Sequence, residues 1–169
     1  MPNDAAHFVT ALLTSIFVQH PTQVLLGPPQ FGWAEEALLW PEKIALKVKL
    51  DSASSVSLFD AHGLVFFNKQ NQRWVRFTVD LKDNNTGQPV HQQFERKILK
   101  PVGPGVTDAT LNPAVQMDIC LGGTVYKEVF VLADRHQLHY PIVVGRSLLK
   151  KLGPVSASRS FTVEPRCKR

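Results

Sequence analysis

The chain has 169 residues, 44% hydrophobic and 20% charged. That is enough for one domain with a real core and too ordinary for a disordered segment. Its net charge of +5 comes from 19 Lys plus Arg against 14 acids, scattered apart from Arg166, Lys168 and Arg169; with no basic stripe interleaved with aromatics, nucleic acid is not an expected partner.

In residues 1–31, Phe8, Leu12, Leu13, Ile16 and Phe17 recur at helical spacing behind a possible cap at Asn3 or Asp4, which predicts a short amphipathic helix. The stretch lacks the basic start and A-x-A site of a signal peptide, and its apolar run is shorter than the ~20 residues of a membrane span. A cytoplasmic location is therefore favoured over a periplasmic one. Pro21, Pro28 and Pro29 then make a linker.

From Gly32 onward the pattern is almost all strand. GWAEEALLW, closed by Pro41, is a first strand, and Ile44, Leu46, Val48 and Leu50 alternate with Ala45, Lys47 and Lys49 in a second. That strand ends in Asp51, followed by the small residues Ser52, Ala53 and Ser54, so the carboxylate stands at a strand end with little bulk around it. Leu64 to Phe67 reads as a buried strand, and residues 73–99 as a long hairpin with its tip near Asn85. Asn84-Asn85-Thr86 matches a glycosylation sequon but is read as turn chemistry.

PVGPGVTDATLNP, 101–113, is a loop; Val115 to Leu121 and Val125 to Leu132 form a further hairpin about Gly122-Gly123. Tyr140-Pro141-Ile142-Val143-Val144-Gly145 is a buried strand running into a glycine, and RSLLKKL is one short helix ended by Gly153. Two cysteines are too few for a disulfide framework, and Cys120, between Ile119 and Leu121, reads as an inert thiol. His136 and His139 have no third ligand at a convincing spacing, Gly103-Pro104-Gly105 lacks the ending of a phosphate loop, and there is no G-x-S-x-G elbow. No metal and no cofactor is expected.

The Asp-Ser turn after a strand, followed much later by two aliphatics, Gly, Arg and a Leu-rich helix, resembles the retropepsin-like aspartic proteases. Gly32-Trp33, Lys47 to Ser52, Leu132 to Arg135 and Tyr140 to Arg146 look closest to the bacterial group labelled ATP-dependent zinc proteases. The resemblance spans about residues 32–165. It implies a mainly all-β fold: a small closed barrel with one short C-terminal helix, preceded by the helical extension 1–31 and followed by the basic tail 166–169.

The resemblance also implies function. With a single Asp turn per chain, the expected enzyme is a homodimeric aspartic-type endopeptidase acting on a peptide or protein, Asp51 being catalytic and Ser52, Ala53 and Ser54 its loop. Val143, Val144 and Gly145 would pack behind that loop, with Arg146 supporting it and Asp134 as the guessed partner of Arg146. Hairpin 73–99 would cover the substrate, and SFTVE, 160–164, would add a strand at the dimer. Relatives normally carry Gly at the Ala53 position. If the backbone there is left-handed, Ala is strained, and the alternative to an enzyme is a barrel that binds peptide or partner without cleaving it.

Overall fold

The computed structural model describes residues 30–99, 112–135 and 139–168. The expected N-terminal helix, most of loop 101–113 and His136 lie outside the described residues. Within them the chain forms β1 (Phe31–Gly32), β2 (Ala34–Trp40), β3 (Ile44–Leu50), β4 (Ser57–Asp60), β5 (His62–Lys69) and β6 (Gln72–Lys82). Then follow β7 (Pro89–Leu99), β8 (Ala114–Leu121), β9 (Thr124–Ala133), β10 (Ile142–Val144), α1 (Arg146–Leu152) and β11 (Val155–Ser156).

The main sheet runs β2-β3-β10-β4-β9-β8, and β8 pairs back onto β2, so six strands close into a barrel. Closure removes the open edges that a flat sheet of this size would expose. From β8 the sheet continues outward through β7, β6 and β5. Alternation decides what fills the barrel: Leu46, Val48 and Leu50 of β3, Met117, Ile119 and Leu121 of β8, and Phe130 and Leu132 of β9 are all buried. Phe59 sits 6.0 Å from the Phe130 ring and 6.4 Å from Phe77 of β6, which joins the outer sheet to the core. Burying one such ring stabilises the fold by about 1.5–3 kcal/mol.

Two parallel pairings bring distant sequence together. β10 lies beside β3 with Val144 opposite Leu50, and β4 lies beside β9 with Ser57 opposite Phe130. α1 buries Leu148, Leu149 and Leu152, carries Lys150 and Lys151 at its negative end, and stops at Gly153, whose N–H donates to the Leu149 carbonyl.

Several expectations are corrected. Leu64–Phe67 is not a buried run: β5 is the outermost strand of its sheet, and Val65 is 53% exposed. SFTVE forms no strand. Phe161 has a left-handed backbone (φ 52°), which breaks the extended run, and the amides of Thr162 and Val163 donate to the Glu35 carboxylate. Parallel pairing with β1 comes instead from β11. Cys120 is not a free thiol either; it forms a disulfide with Cys167, tying the C-terminal segment to β8.

The hairpin expected over 73–99 is β6–β7, and its tip is anchored at the end of β3 remote from Asp51. The Asn84 amide donates to the Ala45 carbonyl and the Ala45 amide to the Asp83 carboxylate, pinning residues 83–84 to the start of β3. Asp51 lies six residues further along that strand, about 20 Å away at the rise of an extended chain. The tip of this hairpin therefore does not cover Asp51.

Candidate active site

The site begins with one backbone pairing. Because β3 and β10 run parallel with Val144 opposite Leu50, the chain leaves both strands at the same level, and the Asp51 amide donates to the Val144 carbonyl at 2.9 Å. Two further bonds fix the turn: Ser54 N–H to the Asp51 carbonyl, 3.2 Å, and Arg146 N–H to the Ser54 carbonyl, 2.9 Å. On the other side, the Leu50 amide donates to the Trp33 carbonyl at 2.8 Å. The loop is thus held from three segments by main-chain bonds that do not depend on its own side chains.

Gly145 makes this closeness possible. A Cβ there would lie 2.2 Å from the Val56 carbonyl oxygen and 2.5 Å from its carbon, so only glycine lets β10 pass the 54–57 segment at this distance. Its N–H donates to Ser57 Oγ at 3.0 Å, and Ser57 Oγ donates to Glu128 at 2.9 Å. Ser147 Oγ bonds the same carboxylate oxygen, and Lys151 Nζ stands 3.8 Å from the other. Glu128 is 3% exposed and joins β4, β9 and α1 directly behind the loop.

Arg146 turns back onto the Asp51 loop. Its guanidinium donates to the carbonyls of Ser52 (2.9 Å) and Ala53 (3.1 Å), so it clips the turn across a separation of 94 residues. Asp51 itself has a donor on each oxygen: Ala53 N–H reaches Oδ1 at 2.9 Å and Lys49 Nζ reaches Oδ2 at 3.0 Å. The Lys49 ammonium, helped by the Ala53 amide, holds the Asp51 carboxyl below the usual carboxylate range. Ser52 and Ala53 are exposed. Ala53 is absent from the residues with positive φ, so its methyl group costs no left-handed strain.

Two acids in the architecture escaped the sequence reading, and each carried a signal. Glu35 shares the strand phase of buried Ala37 and Leu39, and Glu128 that of Phe130 and Leu132. An acid on a core-facing phase must find buried donors. Glu35, fully buried, accepts from the amides of Gly32, Thr162 and Val163 and from the Thr162 hydroxyl, which seats the C-terminal segment beside β1 and β2.

Lys47, Lys49 and Asp51 share the outward row of β3. Further down that row a cavity of about 700 Å³ opens, lined by Lys47, Asp60, His62, Asp80, Lys82 and His139. Asp80 is bonded by His91 at 2.6 Å and approached by His62 at 3.4 Å. Among the described residues no group of three or more His, Cys, Asp or Glu is arranged to hold a metal ion, and no helix is long and apolar enough to cross a membrane.

A sequence model of one family, described as RimB-like, retropepsin-like aspartic endopeptidase RimB, matches residues 30–166. No curated protein matches the chain. A crystal structure of a protein of unknown function (DUF785) from Legionella pneumophila subsp. pneumophila strain Philadelphia 1 superposes with a TM-score of 0.67 at 26% identity, covering 82% of this chain and 100% of that one. The family description names neither zinc nor ATP, so it is the retropepsin-like part of the resemblance that these matches support.

Proposed function

The chain belongs to the RimB-like family of retropepsin-like aspartic endopeptidases, and from that premise we propose that it hydrolyses peptide bonds as a homodimer, with Asp51 of each protomer forming one half of the catalytic pair. A single Asp loop per chain supplies only one carboxylate, and the reaction needs two. The observation that carries the proposal is the presentation of that loop. Asp51 stands at the barrel end with exposed Ser52 and Ala53 beside it. Of the four large hydrophobic side chains exposed among the described residues, Trp33 and Val56 lie on segments that touch this loop, and Phe161 lies beside Ala34 and Lys47 on the same outward face. The Trp33 carbonyl accepts from Leu50 and the Val56 main chain packs on Gly145, so both belong to segments that hold the loop, while Phe161 donates to the neighbouring Ala34 carbonyl. An apolar rim around a polar centre suits a second copy of this chain.

In such a pair the two carboxyl groups share one proton, because like charges this close do not both ionise freely. The ionised carboxylate takes a proton from a water lying between them, and the resulting hydroxide attacks the peptide carbonyl carbon. The protonated partner gives its proton to the carbonyl oxygen, forming a gem-diol. Collapse of that intermediate breaks the C–N bond as the leaving nitrogen gains a proton. An extended peptide has room along the outward row of β3 toward the cavity at Lys47, four residues or about 13 Å from Asp51.

The second reading, a barrel that binds peptide without cleaving it, is favoured by the ion pair already occupying Asp51 Oδ2. Purified protein assayed from about pH 3 to about pH 7 separates the two. The peptidase reading expects a dimer by analytical ultracentrifugation and cleavage of an unfolded protein that Asp51→Asn abolishes with the fold intact. A monomer that cleaves nothing, or an Asp51→Asn variant as active as wild type, overturns it.

A further inference from the structure

Asp51 does not stand alone on its strand. The period of β3 puts Lys47, Lys49 and Asp51 in one row, and the middle member turns its ammonium onto Asp51 Oδ2 at 3.0 Å. Among the described residues, the charges around the carboxylate are few. Lys47 stands over the Phe161 ring at 5.3 Å, and Arg146 of α1 is spent on the carbonyls of Ser52 and Ala53. β10 presents the apolar Val143 and Val144, and the β1–β2 junction presents the Trp33 carbonyl to Leu50. The acids Glu35 and Glu128 are buried in their own networks. Among the described residues, Lys49 is therefore the charge that Asp51 meets directly.

The two oxygens of Asp51 are held differently. Oδ1 is tied to the Ala53 main chain and stays with the loop, whereas Oδ2 is held by a flexible side chain that is 44% exposed and can move aside. We infer that Lys49 is a positioning residue that keeps Asp51 ionised and sets the acid pH at which Asp51 and its copy take up the proton they share. The inference rests on the peptidase reading of Asp51. Two bare carboxylates brought together raise one another's proton affinity. Where each arrives with its own ammonium, the repulsion is offset and the shared proton is held only at lower pH. The direction in which Asp51 is already displaced, below the usual carboxylate range with Lys49 as the largest cause, agrees with this.

The test uses the full chain as wild type, Lys49→Met and Lys49→Arg. The Asp51 carboxyl carbon is titrated by NMR and the pH profile of peptide cleavage is measured beside it. In Lys49→Met the Asp51 midpoint is expected to rise by about one pH unit, a tenfold gain in proton affinity, and the alkaline limb of cleavage to rise with it. Lys49→Arg keeps the charge and is expected to keep the wild-type midpoint. The urea midpoint at neutral pH is expected to stay unchanged in both, since a half-exposed ion pair contributes little to folding. An Asp51 midpoint that stays put in Lys49→Met, or rises as far in Lys49→Arg, overturns the inference. Because the titration is read on the carboxyl group itself, a shifted midpoint without any cleavage would fault the peptidase reading and leave the role of Lys49 standing.

Discussion

Replacing Gly145 by Ala asks whether the crossing of β10 over the 54–57 segment is as tight as it stands. The new methyl group would lie 2.2, 2.5 and 3.0 Å from the oxygen, carbon and nitrogen of Val56. All three are main-chain atoms, so no side chain can swing away, and relief requires the two segments to separate by about an ångström. Two bonds lie across that gap, Gly145 N–H to Ser57 Oγ and Arg146 N–H to the Ser54 carbonyl, and a third, Asp51 N–H to the Val144 carbonyl, lies beside it at the start of the same loop. Overpacking of this kind costs about 3 kcal/mol, and in a chain of 169 residues that is a fall in Tm of about 6–12 °C. Gly123→Ala is the control, since nothing lies within 4 Å of a Cβ there, and it is expected to change stability by less than about 0.5 kcal/mol. Urea unfolding of both variants and wild type, with a common slope, gives the two differences. A loss in Gly145→Ala below about 1 kcal/mol, or one equal to that of Gly123→Ala, would refute the reasoning.

The disulfide closes a separation of 47 residues, so Cys120→Ala/Cys167→Ala is expected to cost about 2–4 kcal/mol, and a urea midpoint identical with and without reductant would count against the Cys120–Cys167 bridge. Asp83 accepts from the amides of Thr86, Asn85 and Ala45, and the Thr86 bond foremost holds its carboxyl below the usual range. Its folded value being depressed, its contribution is complete above the unfolded carboxylate value of about 4 and is lost as pH falls through the lower folded value. Asp83→Asn should therefore be less stable than wild type at pH 7 by about 1–2 kcal/mol, with the gap narrowing toward about pH 3; a gap independent of pH would contradict this.

Much of this fold is legible in the chain because its strands have one buried face each. The alternation of Ile44 to Leu50 announces β3 and its outward row, and the helix after Gly145, which has no side-chain bond at its N-cap, is marked by Leu148, Leu149 and Leu152. Legibility fails where a residue's partner is remote in sequence or where alternation is absent. Leu64 to Phe67 is uniformly apolar, so nothing in it says that β5 ends the sheet. Phe161 and Val163 alternate with Thr162 and Glu164 as a strand would, yet the amides of 162 and 163 are claimed by a carboxylate more than a hundred residues away. The pairing of Cys120 with Cys167, and of Arg146 with the carbonyls of its own loop, likewise depend on the fold's closure. Asp51 could be singled out from its turn, but its proximity to Gly145 came from resemblance, since parallel pairing of β3 and β10 leaves no local mark.

The replacement of glycine by Ala53 takes on a different meaning once the loop is seen. The concern raised by the sequence was internal strain, and the backbone at Ala53 is not left-handed. Its N–H still reaches Asp51 Oδ1, and its carbonyl still accepts from Arg146. The bonds that residue 53 makes within the turn use its main-chain N–H and carbonyl, which alanine supplies as well as glycine does. What the methyl group changes lies outside the subunit, because residue 53 is exposed on the face where a second copy and a peptide would approach. Its consequence is therefore a matter of contact distance between molecules, whereas that of Lys49 is a matter of charge. A poorly active enzyme limited by the first would keep the wild-type pH profile and lose affinity for substrate or partner; one limited by the second would bind normally and respond to pH.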